Sequence, residues 1–383
     1  MGRSRWHYTL YRRMCGEQHL SVGARLGLMP LWAASQVYRG LAYSHRQSFR
    51  WGWRTQHRLP CRVISVGNLT VGGTGKTPLA MWLARWCLEQ GWPVAILSRG
   101  YGGQPGDEPR VVAAHEASAP VWSTVGDEPY LLAQELPCVP VVVGRDRVQS
   151  GLYAHRRFGA QVLILDDGFQ HYRLARNFDM VLIDATNPFG HGALLPRGIL
   201  REPLRALQRA DAVVLSRVEL ARDHLHAVCQ RIRQYYPHGP IYHMATTIEA
   251  LTAVDTHAAA KDRHVCVDDI SLRQQRVVAF VGIGNPFAFA DTLTQLGCDV
   301  AALLVFRDHH PYTVTDWQAI VEMAGRYDAS SIVTTTKDQV RLDPAWQTPV
   351  PLYTLRIGVS FAAGEALLHQ QLRTVMSHAP DGD

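Results

Sequence analysis

The sequence predicts an α/β protein built on a parallel sheet with helices on both faces. Three observations carry this. Six short apolar runs between residues 62 and 217 alternate with segments of helix length, and several are apolar throughout, as strands buried on both faces are. A glycine-rich turn, NLTVGGTGKT, joins the first run to an apolar stretch of helical length. A second series of runs begins at residue 277, so a smaller C-terminal α/β domain is expected beyond the first.

Composition bounds the possibilities. The 383 residues are 47% hydrophobic and 19% charged, which are globular values. A net charge of +6 is modest for this length and requires no nucleic-acid partner. Of 39 basic residues only Lys76, Lys261 and Lys337 are lysines. An ammonium and a guanidinium do different work, so a lysine kept among arginines is informative. The seven cysteines are scattered without a C-x-x-C pair, which argues for a reducing compartment and against a zinc site or disulfide frame. The 18 histidines include no H-E-x-x-H spacing. No motif points to a protein partner.

Residues 1–60 are expected to form a distinct arm. Eleven arginines and a single acid, Glu17, occupy residues 1–62 around the thirteen-residue, mostly apolar LGLMPLWAASQVY. That stretch is shorter than the roughly 20 residues a spanning helix needs. With Trp6, Trp32, Tyr38, Tyr43, Trp51 and Trp53 interleaved among the cations, the pattern suits a helix lying at a membrane surface. The plainer alternative is a helix packed on the body of the protein with a solvated basic face.

Residues 61–240 read as the core. RVISVG, PVAILS, VPVVVG, VLILDD, MVLIDA and AVVLSR are its expected strands. The first leads into Thr70, Val71, Gly72, Gly73, Thr74, Gly75, Lys76 and Thr77, then into a helix, which is the context a phosphate-binding loop needs. Glycines let the backbone approach phosphate with its N–H groups inward, and the helix start adds positive charge. Lys76 would reach the β and γ phosphates of a nucleotide and the Thr77 hydroxyl would bind Mg²⁺. Thr70 stands where the usual pattern has glycine, so the loop is of the G-G-x-G-K-T variety. Such a string arises by chance in roughly one in a thousand chains of this length.

Acids complete the picture. Asp166 and Asp167 end an apolar strand, where a parallel sheet presents ligand contacts. Two adjacent carboxylates call for a cation or hydrogen bonds, so they are preferred over Asp184 as the magnesium acids. Asp127 and Glu128 precede Pro129 and suit either a helix N-cap or a base that takes a hydroxyl proton. His309 and His310 follow Asp308 in the second series, a proton-handling arrangement. Residues 241–275 are expected as a linker, and 276–383 as the smaller C-terminal domain.

ISVGNLTVGGTGKTP, ILSRGYGG, VGDEPYLLA, ILDDGFQHYRL, LLPRGILREPL, FRDHHPYT and TTTKDQVRL occur in this order. Together they resemble the tetraacyldisaccharide 4′-kinase family, the lipid A 4′-kinases of Gram-negative bacteria, from about residue 61 to 342. The resemblance implies a P-loop NTPase-like fold, ATP as co-substrate and Mg²⁺. It also implies phosphoryl transfer to the 4′-hydroxyl of an acylated disaccharide lipid at the cytoplasmic face of the inner membrane. It makes Asp127 the base assisted by His309, puts Asp166 and Asp167 near Mg²⁺, and lines the site with Glu128, Gln170, His171, Arg201 and Glu202. Arg147 would contact phosphate or acceptor. One departure is Phe306-Arg307-Asp308-His309 where F-P-D-H is expected. The rival reading is a regulatory ATPase or GTPase of the partitioning or metallochaperone type. Val71 replaces the lysine that the partitioning type carries before its paired glycines, and no N-K-x-D guanine motif is present.

Overall fold

A computed structural model describes residues 28–104, 106, 108–112, 121–190, 192–254 and 272–377. Residues 1–27 of the basic arm, and residues 255–271 of the expected linker with Lys261, lie outside the described residues.

Helix α1 (Met29–Arg50) precedes the sheet. The first half then runs β1 (Arg62–Asn68), α2 (Lys76–Glu89), β2 (Val94–Ser98), β3 (Arg110–Val112), α3 (Val121–Val125), α4 (Asp127–Glu135), β4 (Val141–Val143), α5 (Arg147–Phe158), β5 (Val162–Asp166), β6 (Phe178–Asp184), β7 (Ala212–Ser216) and α6 (Leu225–Arg233). The second half runs β8 (Ile241–Val254), β9 (Arg276–Val281), α7 (Pro286–Gln295), β10 (Asp299–Val305), α8 (Val314–Arg326), β11 (Ser331–Thr335), α9 (Thr336–Gln339), β12 (Leu352–Ala363) and α10 (Glu365–Ser377). The six strands expected in the core are β1, β2, β4, β5, β6 and β7, and the second series supplies β9 to β12.

The strands form one sheet in the order β10-β9-β11-β12-β8-β7-β6-β1-β5-β2-β4-β3. Among the described strands only β8–β12 and β3–β4 pair antiparallel. Helices cover both faces. Met180, Leu182 and Val214 pack toward α2, α4 and α10, whereas Val181, Ile183 and Leu215 face the opposite layer with α6. In the second half Val277 and Ala279 pack on α7, and Val278 and Phe280 on α8.

One expectation needs correction. Residues 241–254 are not linker but a 14-residue strand. Its Ile, Thr and Val content favours extended backbone, and Tyr242 and Met244 are anchored in the core. The second series shares one sheet with the first, because β8 and β12 carry the first sheet into it.

That ribbon sets the geometry of the molecule. β7 pairs with residues 241–244 at the start of β8. β11 pairs with residues 352–355 of β12, which lie opposite residues 251–254 at the other end of β8. The halves are thus offset by ten residues along the ribbon, roughly 33 Å at about 3.3 Å per residue. They also run in opposite directions, since β8 and β12 are antiparallel. The carboxyl ends of both sets of parallel strands therefore face each other across the ribbon's middle. Carboxyl ends are where such sheets bind ligands.

Candidate active site

The cleft between these two sets of strand ends has a volume of about 810 Å³. The phosphate loop, Asp166, Asp167, Glu128 and His309 line it, and Thr246 and Arg356 of the ribbon form part of its floor.

The loop is held from behind. Asn68 Nδ2 donates to Thr74 Oγ1 at 3.0 Å, Ser216 Oγ to the Thr74 carbonyl at 2.7 Å, and Arg217 Nη2 to the Gly73 carbonyl at 2.8 Å. Gly75 adopts φ +91°, a left-handed turn that suits glycine, and α2 starts at the next residue. Its positive end therefore points at the loop. Lys76 Nζ stands 3.7 Å from Asp167. Thr70 is buried and bridged to Leu200 at the root of the loop rather than on the cleft wall.

Of the paired acids, Asp167 is already partnered. Arg201 Nη1 donates to both of its oxygens at 2.8 and 2.7 Å. Burial would raise its pKa, but Lys76 and Arg201 hold it below the ordinary value. Asp166 is different. It is 3% exposed, and its Oδ1 is buried without a hydrogen-bond partner. Burial and the neighbouring charges of Glu128 and Asp167 push its pKa up to about 7, against Lys76 and Arg147. Asp184, the competing acid of the sequence, is engaged elsewhere. It accepts from Arg217, from Thr186 and from Asn285 Nδ2 at 2.9 Å.

Asp127 and His309, 182 residues apart, meet at the edge of the cleft, where His309 is on the wall and Asp127, 2% exposed, stands directly behind it. His309 Nδ1 lies 2.8 and 2.9 Å from the two Asp127 oxygens. Burial raises the Asp127 pKa, but the His309 hydrogen bond and the Lys337 charge outweigh it and hold the carboxyl below its usual range. The N-cap of α4 is Gly126 at φ +95°, so Asp127 is the first helical residue and its side chain is free for His309. Its Oδ1 also accepts from the Glu128 N–H at 2.9 Å. His309 has φ +58°, and its N–H reaches the Gly282 carbonyl at 3.2 Å. The departing Arg307 points to solvent, and its carbonyl accepts from the His310 N–H at 3.1 Å, closing the turn.

The remaining expected residues divide. Gln170 and His171 are on the wall, and Gln170 Nε2 donates to the Asn68 carbonyl at 3.0 Å. Burial, with Arg147 and Arg176 nearby, lowers the His171 pKa to about 4. Arg147 is on the wall and donates to the Gly144 carbonyl at 2.9 Å. Glu202 stands one layer back, accepting from Gln170 at 3.1 Å, Tyr172 at 2.9 Å and Arg209 at 2.9 Å.

Sequence reasoning gave Lys337, Asn285, Arg217 and Arg341 no role. Lys337 Nζ donates to Glu128 at 2.8 Å and to Asp308 at 3.5 Å. The scarcity of lysine flags Lys337 and the TTTKDQVRL motif contains Arg341, but nothing local shows what that buried arginine faces.

Fold and cleft together put the chain among the phosphate-loop kinases. Residues 28–377 match the family described as Tetraacyldisaccharide-1-P 4'-kinase, LpxK. A tetraacyldisaccharide 4'-kinase of Syntrophus aciditrophicus is 42% identical over 310 residues, 78% of this chain and 80% of that one. One from Desulfatibacillum aliphaticivorans is 39% identical over 345 residues, 89% of each chain. The chain belongs to the tetraacyldisaccharide-1-P 4'-kinase family. The crystal structure of LpxK from Aquifex aeolicus in complex with ATP superposes with a TM-score of 0.68 at 30% identity, covering 92% of this chain and 99% of that one.

Proposed function

We propose that this kinase moves the γ-phosphoryl group of ATP to the 4′-hydroxyl of a tetraacylated glucosamine disaccharide 1-phosphate, a step of lipid A biosynthesis. The observation that carries the reading is the Asp127–His309 pair, one partner from each half, at 2.8 Å, with His309 on the wall of the cleft that the phosphate loop also lines. Phosphoryl transfer needs a cradle, charge neutralisation and an oriented hydroxyl.

The loop Val71–Thr77 cradles the phosphates, with Lys76 at their charged end. Asp127 accepts the proton of the acceptor hydroxyl as its oxygen bonds to phosphorus and the bond to the ADP oxygen breaks. His309 fixes the carboxylate and stabilises it as an anion. Mg²⁺ fits the residues present: Asp166 Oδ1 is a buried, unpartnered acceptor whose charge is disfavoured without a cation. Asp166 and the Thr77 hydroxyl would hold the ion, with Asp167 kept by Arg201 in the next layer. Bound there, Mg²⁺ would neutralise phosphate charge. Among the described residues no cluster of three or more His, Cys, Asp or Glu is arranged to bind a metal.

The lipid acceptor implies work at a bilayer. No described helix is long and apolar enough to cross a membrane. α1 is docked on the body through Tyr38, whose hydroxyl donates to the Arg201 carbonyl at 3.0 Å, and through His45 and Phe49 against Tyr172. Its other side exposes Met29, Trp32, Val37, Leu41 and Tyr43. That apolar, cation-flanked face would rest on the cytoplasmic side of the inner membrane.

ADP release measured with and without the disaccharide acceptor tests the function. Release that depends on acceptor supports the kinase. Equal release in both conditions would make the protein a regulatory ATPase.

A further inference from the structure

The second half contributes more to the base than His309. Arg341 is fully buried, and its Nε lies 3.6 Å from Asp127 Oδ2. Its own placement is fixed by Asp338, with which it pairs, and by the Gly282 carbonyl, to which Nη2 donates at 3.1 Å. Asp338 in turn accepts from the Tyr312 hydroxyl at 2.7 Å and the Gly282 N–H at 2.8 Å. Lys337, one residue before Asp338, bridges Glu128 of the first half and Asp308 of the second. Arg341 Nε and Nη1 have no hydrogen-bond partner, so this buried cation is aimed at Asp127 without being saturated by it.

We infer that Lys337 and Arg341 are positioning residues for Asp127: they hold the base ionised and in place only when the second half is seated on the first. Seating is what joins them, because both come from the α9 region while Asp127 and Glu128 open α4. The backbone of Gly284 also closes on the phosphate loop, where a Cβ would fall 2.1 Å from the Gly73 nitrogen. The same closure therefore brings the second half onto the loop and the cations onto the base, and a cleft held open has a base without its counter-charges. The groups facing Asp127 are His309 from the turn after β10, Lys337 and Arg341 from α9 and the residues after it, and Glu128 beside it on α4. Three are basic and one is acidic, so the field favours the carboxylate. Lys337 gains in turn: burial lowers its pKa, but Glu128, Asp308 and Asp127 outweigh this and raise it.

The inference rests on Asp127 being the base of the transfer reaction. It is tested by the pH dependence of kcat/KM for the full chain, Lys337→Met, Lys337→Arg and Arg341→Lys, with MgATP and the disaccharide acceptor. In Lys337→Met the acid limb should move up by about one pH unit, the scale of one lost neighbouring charge. kcat below that limb should fall about tenfold and recover at alkaline pH, while KM for ATP changes little. Lys337→Arg should return most of the limb, since the charge is kept. Arg341→Lys, which keeps the charge beside Asp338, should shift the limb less than Lys337→Met. An unmoved limb in Lys337→Met, with a uniform loss at every pH and a lowered Tm, would reduce these residues to scaffolding. A loss confined to KM for ATP would make Lys337 a nucleotide contact and overturn the inference. Absence of transfer by the unaltered chain would defeat the functional reading, and this inference with it.

Discussion

At the scale of single residues, Lys76 and Asp127 carry opposite charges and do different work. Lys76 is the cation that follows phosphate charge. Lys76→Ala should lower kcat about 10²–10³-fold, the scale of removing one transition-state donor. Lys76→Arg should stay poor, because a planar guanidinium does not replace a compact ammonium. Rapid-quench turnover checks both, and near-normal activity in Lys76→Ala contradicts the loop assignment. Asp127 is the acceptor of the hydroxyl proton. Asp127→Asn should cost about 10²–10⁴ in kcat, the usual contribution of a positioned base, while ATP binding measured by calorimetry stays within threefold or so. A variant that loses ATP affinity but keeps kcat would make Asp127 a nucleotide contact.

His171 supplies a prediction about stability. Its folded pKa is lowered to about 4, so below the ordinary histidine value near 6.5 the unfolded chain binds a proton that the folded chain refuses. Its contribution is present above that ordinary value and is lost as pH falls toward 4. His171→Asn should therefore flatten part of the fall in urea midpoint between about pH 6.5 and 4. An unchanged pH slope would mean that His171 is not held neutral.

At the scale of elements, α1 has two sides with different work. Its inner side is fastened to the body by Tyr38 and the His45–Phe49–Tyr172 cluster, and its outer side exposes Trp32 at 56% and Leu41 at 66%. A helix that only packs would have little reason to show these to water. The double variant Trp32→Glu, Leu41→Glu should reduce sedimentation with anionic vesicles at least about tenfold, since each buried apolar side chain contributes roughly 1.5–3 kcal/mol. Its ATP-induced rise in Tm should be unchanged, because neither residue lines the cleft. Equal sedimentation of the variant and the unaltered chain would mean that α1 does not hold the membrane.

At the scale of the whole molecule, function follows from the offset of two half-sheets along the β8–β12 ribbon. Much of this was legible in sequence. Period and apolar continuity revealed the strands, and glycine spacing located the phosphate loop, because both depend on neighbours along the chain. The ribbon was not legible. Residues 241–254 have no continuous apolar run, since one strand serves two halves and is only intermittently buried. Nor could sequence join Asp127 to His309 or Lys337 to Glu128, because pairs about 200 residues apart meet only through the register of β8 with β12. Glu202 carries a motif signature yet stands behind the wall, supporting Gln170, and only packing reveals that distinction.

The central claim is transfer of phosphate from nucleotide to the disaccharide hydroxyl in this cleft. Its most direct measurement is the mass and ³¹P spectrum of the acylated disaccharide 1-phosphate after incubation with the protein and MgATP. One added phosphate is expected, as a monoester on the 4′ carbon of the distal sugar, formed in step with ADP. An unmodified disaccharide beside accumulating ADP and inorganic phosphate, or a phosphate at any other carbon, would contradict it.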